Sequence, residues 1–425
     1  MTFVTPQQTP RVGEKPRPPR KMSSAENIEA IRPTRSYVSD MAPPTLNAST
    51  ASSSKSPPPR FVVIHSAGDG ITRWRISLAE TISFAVSKGL ILVEPCVRNG
   101  RVQPCDSEEL ARTERELQSA SSAGAHALGR RGMLRPLSAY KDTAKVRQMF
   151  PQSPNLLMPF TDFVRDWDGA ALLERSRLVC AAFMSTRGCN STYQTQVWNG
   201  HIVGNSKAAR RAGSLFERVR GQPVLHLYYL KYGFFTHNMS SLTRAYAGLS
   251  TFAPALHALA KTLPEALGLS EGFFAYHWRS EKICHDYHGC STKLLAAKAQ
   301  VEFQHGIAPG RRSLLISDIA ATNDSLWGGM SNGGHLHSRA LQMASARALD
   351  RLLAANMTKL DSLPSMAGAD PGAISVLDLL LGQCAGYLLT CASKHAKCAE
   401  RCAWAGNYAN FMRWLRRGRN TSVDW

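Results

Sequence analysis

The 425-residue chain has no long apolar run. Nothing in it reaches the roughly 20 apolar residues that a membrane-crossing helix needs. The amino terminus also lacks the apolar core of about 7 to 15 residues that marks a signal peptide. The expectation is that either an anchor is missing from this chain or the protein is not secretory. Acidic residues are scarce as well, 31 against 51 Lys and Arg, which leaves a net charge of +20. Such a balance disfavours cationic partners and points to an anionic one. A nucleotide sugar, an acidic glycan or nucleic acid would each satisfy it.

The charge is not confined to one tail. Residues 1–60 hold 9 basic and 4 acidic side chains, so +15 of the excess belongs to the remainder. That first segment is rich in Pro, Ser, Thr and Lys/Arg, with too few large apolar residues to offset the entropy of ordering. It reads as a disordered basic tail, either a stem or a generic linker. The rest, in a chain 44% hydrophobic overall, is long enough for two core-bearing domains.

Ten cysteines fall into close pairs at 96/105, 180/189, 284/290, 384/391 and 398/402, and glycosylation acceptor triplets begin at Asn47, Asn190, Asn238, Asn323, Asn356 and Asn420. Both features favour an oxidising, secretory route, with connectivity left open.

Order is expected to begin at Phe61-Val-Val-Ile-His65, a short apolar strand. Ser66-Ala67-Gly68-Asp69-Gly70 follows as a loop, then a helix with Leu78, Ile82, Ala85 and Val86 on one face, a stop at Gly89, and a second strand before Pro95. This is a βαβ unit. Gly68 and Gly70 permit close backbone approach to a ligand, and the helix start offers free amide donors to an anion. The third glycine of a dinucleotide fingerprint is replaced by Arg73, so a tight turn without a ligand explains the loop equally.

Phe273 to Lys282, Phe-Phe-Ala-Tyr-His-Trp-Arg-Ser-Glu-Lys, is an apolar run that ends in polar chemistry. Groups at the carboxyl end of such a strand project into the binding crevice of an open α/β sheet. Alternation puts His277 and Arg279 on one face and Trp278 on the other. Arg279 could grip a diphosphate with its planar fork. The alternative is an Arg279–Glu281 ion pair beside a satisfied core histidine.

The His277-Trp278-Arg279 strand end, together with Phe61 to Pro95, resembles the GDP-fucose protein O-fucosyltransferase-like family; the likeness spans most of Phe61 to Trp404. The resemblance implies two Rossmann-like, doubly wound α/β domains facing across a cleft, the GT-B arrangement. Residues 61–255 would form the acceptor side and 256–425 the donor side. It implies a catalytic Arg279, and an Asp69 in place of the glutamate proposed as base in some members, with Thr72 where those members have Asn. GDP-fucose would be contacted by Gly68, Gly70, Thr72, His277, Arg279, Asp318 and Ser393. No metal, cofactor or nucleic acid is expected, and the acceptor would be a protein or glycan in the Golgi or ER lumen.

The remaining segments leave alternatives open. Asp69 also suits a turn, and Asp318, at the tip of the Arg311–Ser317 strand, could cap the next helix instead of meeting a ribose or guanine. Asp106 and Glu109 resemble a capping box opening a helix to about Ala120. Asp166-Trp167-Asp168 matches a metal motif of another glycosyltransferase fold but is expected to start or cap the Gly169–Ser176 helix. Cys284-His285-Asp286-Tyr287-His288-Gly289-Cys290 is expected to be a disulfide-closed loop, because its spacing fits structural zinc poorly. The last strand, Gly386–Cys391, leads to Ser393, Lys394 and His395, where the family usually has a Ser/Thr-rich turn. Residues 407–419 are expected to form a helix that packs back on the fold. Competing with fucosyl transfer are a non-catalytic nucleotide-sugar-binding fold and a basic polyanion-binding protein.

Overall fold

A computed structural model describes residues 59–67, 71–120, 123–175, 178–180, 223–228, 239–278, 286–308, 310–317, 339–390, 407–416 and 422–423. The fold is α/β with parallel sheets. In the first, β1 (Phe61–Ile64) lies between β2 (Ile91–Leu92) and β7 (Val224–Tyr228), and β6 (Leu178–Cys180) completes the order β2-β1-β7-β6. In the second, β8 (Phe274–Trp278) is central in the order β10-β9-β8-β11-β12, with β9 Ser313–Ser317, β10 Met357–Thr358, β11 Tyr387–Thr390 and β12 Ser422–Val423. Every pairing in both sheets is parallel.

Strand alternation fixes which side of each sheet meets which layer. In β8, Phe274, Tyr276 and Trp278 join a core with Tyr287, Leu294 and Leu352 from the helices Tyr287–Gln304 and Arg339–Ala354. Ala275 points the other way, into a larger core that also holds Val62 and Ile64 of β1, Leu225 and Leu227 of β7, and Leu314 and Ile316 of β9. That core contains the inner faces of both sheets and the helix Ile71–Ser87. Phe61, Val63 and Val224 face a third cluster with Phe160 and Phe163. Burial on both faces is why these strands are nearly all apolar.

Most expected elements are present. The first helix runs Ile71–Ser87 and Gly89 follows with φ +61°, a conformation that favours glycine. Asp106 caps the Ser107–Gln118 helix by accepting from Glu109 N, as expected, but the Glu109 carboxylate turns to Arg98 rather than closing the box. Asp168 sits at φ +50° between the helices Phe160–Trp167 and Gly169–Arg175, with its carbonyl accepting from Leu172 N. Asp166 holds Arg165 at 2.6 Å, so this motif joins two helices and does not stand at a strand end. Arg416, buried, donates to the carbonyls of Gly382, Gln383, Ala385 and Gly386, which fastens the Asn407–Leu415 helix to the end of the Pro371–Cys384 helix.

One local expectation needs correction, and a third sheet was not read from the sequence: β3 (Cys96–Arg98), β4 (Arg101–Gln103) and β5 (Leu134–Pro136) form an antiparallel sheet. Its turn is Asn99-Gly100, both at positive φ, the sequence signature of a two-residue hairpin. The Cys284–Cys290 stretch is not all loop: Asp286 accepts from Gly289 N at 2.8 Å and starts the Tyr287–Gln304 helix. Cys290 is disulfide-bonded, and Cys284 lies outside the described residues.

Buried charge is handled in two ways. Lys359 and Asp361 form a buried pair at 2.5 Å. Arg75 and Lys141 instead rest on aromatic rings, Arg75 over Phe411 at 3.5 Å and Lys141 over Phe252 at 3.8 Å. Burial pushes the Lys141 amine well below the usual lysine range, and Arg75 adds to this.

Asp378 is buried in the Pro371–Cys384 helix, and its Oδ1 has no hydrogen-bond partner among the described residues. Burial raises its carboxyl to about 7, against the pull of Lys359. Because the folded pKa is raised, Asp378 costs stability increasingly as pH climbs from about 4 to about 7. Asp378→Asn should therefore stabilise the protein by roughly 2–4 kcal/mol at pH 8 and change it little at pH 4. Urea unfolding at both pH values checks this; equal gains at both would mean that charge is not the cause.

Candidate functional site

Ligands in open α/β sheets sit outside the carboxyl strand ends, where the winding direction reverses. In the second sheet the chain builds β8, β9 and β10 in one direction and places β11 and β12 on the other side of β8. The reversal falls between β8 and β11. There His277 and Thr390 stand in register, and His277 Nδ1 is hydrogen-bonded to Thr390 Oγ1 at 3.2 Å. Both are buried. His277 shares the Ala275 face of β8, while Trp278 turns to the opposite core and meets Tyr287 edge-on with ring centroids 6.4 Å apart. The expected division of faces between His277 and Trp278 is therefore observed.

Gly68, Asp69, Gly70, Arg279, Asp318 and Ser393 lie outside the described residues, as do Glu281, Lys394 and His395. The backbone of Thr72 belongs to the first turn of the Ile71–Ser87 helix. Arg279 follows Trp278, the last residue of β8, and Asp318 follows Ser317, the last of β9. Thr390 was not foreseen; a hydroxyl residue closing the apolar run Tyr387-Leu388-Leu389 was its only sequence signal.

The first sheet is ordered differently: β2 lies on one side of β1 and β7 on the other, with the earlier strand β6 outside β7. His65, just past the end of β1, places its Nε2 2.8 Å from Nδ1 of His226 in β7. The sequence marked His65 only as the end of a strand. Burial holds both imidazoles far below the ordinary histidine value, His65 at about 4 and His226 at about 3, where His65 adds to the effect. Both are neutral at pH 7.

No family model matches the chain, and no curated protein matches it significantly. Among solved structures it is similar to POFUT1 in complex with GDP, with a TM-score of 0.46 and 11% identity over 87% of this chain and 99% of that one. POFUT1 in complex with GDP-fucose gives 0.47 and 9% over 87% and 99%. The fucosyltransferase NodZ from Bradyrhizobium gives 0.39 and 12% over 84% and 93%.

The contact between His277 and Thr390 is testable without any ligand. Thr390→Val keeps the shape and removes the hydroxyl and with it this hydrogen bond, so the unfolding free energy should drop by about 1 kcal/mol. Denaturant titration measures it, and an unchanged midpoint would mean that the bond contributes nothing.

Proposed function

We propose that this protein transfers fucose from GDP-fucose to a hydroxyl of a protein or glycan acceptor, with inversion and without a metal. The observation that carries the reading is the buried His277–Thr390 contact across the winding reversal of a fully parallel sheet. It supports the carboxyl ends of β8 and β11 as the donor site, because Arg279 comes directly after β8 and Ser393 shortly after β11. In this reading residues 61–255 are the acceptor side and 256–425 the donor side of a GT-B pair. Gly68, Gly70, Thr72 and Asp318 complete the contacts to the nucleotide sugar.

The chemistry follows from where charge develops. The acceptor oxygen attacks the anomeric carbon as its proton passes to Asp69, and the bond to the diphosphate breaks with its electron pair left on GDP. The sugar is oxocarbenium-like at that point, so negative charge accumulates on the leaving group. Arg279 stabilises this build-up with two directed hydrogen bonds, held in place before the reaction. The Cys96–Cys105 disulfide and the bonded Cys290 support an oxidising compartment such as the Golgi or ER lumen.

Arg279→Lys keeps the charge and loses the fork, so turnover should fall by tenfold or more, following about 1.5–3 kcal/mol per charge-assisted bond. GDP affinity should weaken less than that, because the lost interaction is strongest in the transition state. If Arg279 instead serves an ion pair with Glu281, both Arg279→Lys and Glu281→Gln lower the melting temperature and transfer survives. Asp69→Asn should cut turnover about 10²- to 10⁴-fold with GDP affinity nearly unchanged. Equal activity of that variant and the parent would return Asp69 to a turn residue. GDP-dependent thermal stabilisation without product formation would favour a non-catalytic binding protein.

A further inference from the structure

Where β1 ends beside β7 in the first sheet, His65 and His226 form an unusual contact. Their ring planes are parallel to within 3° and their centroids are 5.1 Å apart, with the facing nitrogens at 2.8 Å. The centroid separation is about the nitrogen separation plus one ring radius at each end, so the rings lie end to end. This is the geometry of an N–H···N hydrogen bond in the plane of both imidazoles.

Two neutral imidazoles can make that bond in two ways. If His65 Nε2 donates, His226 must carry its proton on Nε2. That atom is buried without a hydrogen-bond partner among the described residues. If His226 Nδ1 donates, the buried Nε2 is only a bare lone pair and the proton of His65 sits on Nδ1. Orphaned buried donors are rarer than orphaned acceptors, which favours the second arrangement. His65 keeps some exposed surface, and its Nδ1 is not among the buried unpartnered atoms.

We infer that His226 fixes the tautomer of His65 so that the His65 Nδ1–H donates to an uncharged oxygen of the acceptor, a carbohydrate hydroxyl, at the carboxyl end of the first sheet. The inference rests on the reading of this sheet as the acceptor side. A donor that stays neutral suits an uncharged oxygen, whereas a phosphate or carboxylate would draw a second proton onto the ring. The same burial disfavours a base role: an imidazole with a pKa of about 4 holds a hydroxyl proton poorly at neutral pH.

The test has two parts. Long-range ¹H–¹⁵N spectra of the histidine-labelled full chain at pH 7, assigned with His65→Phe and His226→Phe, should show both rings neutral and protonated on Nδ1. A His65 protonated on Nε2, or on both nitrogens, overturns the inference. On an array of uncharged oligosaccharides, His65→Phe should lose roughly threefold to tenfold in apparent affinity relative to the parent, with GDP binding as the control for folding. A parent protein that binds no uncharged glycan, or a His65→Phe variant that binds as well, also overturns it. Failure of the transferase reading shows separately, as absent GDP binding or absent product while the tautomers stand.

Discussion

A parallel strand cannot be reached by a tight turn, and that constraint shapes this protein. Each return to the same edge of a sheet needs a crossover, which lays a helix or other covering segment over one face. A sheet extended on both sides of its first strand must reverse its winding somewhere. In the second sheet that reversal falls between β8 and β11. It is marked by a buried polar contact, His277 with Thr390, at the end of strands that are otherwise apolar, and the first sheet holds a part-buried one, His65 with His226, where β1 ends beside β7. Burying polar groups is unfavourable unless they are paired, and the His277–Thr390 bond pairs a ring nitrogen with a hydroxyl.

The packing explains how such contacts are held. The helix Ile71–Ser87 belongs to the core that contains the inner faces of both sheets, and it carries Trp74 and Arg75 on its buried side. Trp74 Nε1 donates to the Gly100 carbonyl. Gly100 lies so close to Gly372 that a Cβ at position 372 would come within 2.7 Å of backbone. Tyr140 donates to the carboxylate of Asp370, which also accepts from Gly372 N at 3.1 Å. These contacts join the hairpin of the first half to the helix before β11, so strand β11, with Thr390 at its end, is set by packing that begins far away in sequence.

Much of this was legible in the residues. Apolar runs bounded by Gly, Pro and Asp gave β1, β2, β8, β9 and β11 to within a residue or two at most ends, because strands buried on both faces are continuous hydrophobic runs, whereas the short strands β6, β10 and β12 were not read. Alternation correctly divided His277 from Trp278. The hairpin at Asn99-Gly100 was not read, although that dipeptide is a two-residue turn signal. The helix from Tyr287 was hidden by a cysteine and histidine pattern that suggested a loop, although Asp286 three residues before Gly289 is an ordinary cap. The His65–His226 pair was not legible, since the residues are 161 positions apart and meet only through strand register.

The central claim is that a nucleoside diphosphate sits at the carboxyl ends of β8 and β11. A crystal structure of the full chain grown with GDP tests it most directly. The account predicts diphosphate density at these two strand ends, with the Arg279 guanidinium within hydrogen-bond distance of it. GDP bound elsewhere, or a strand end left empty at saturating GDP, would contradict it.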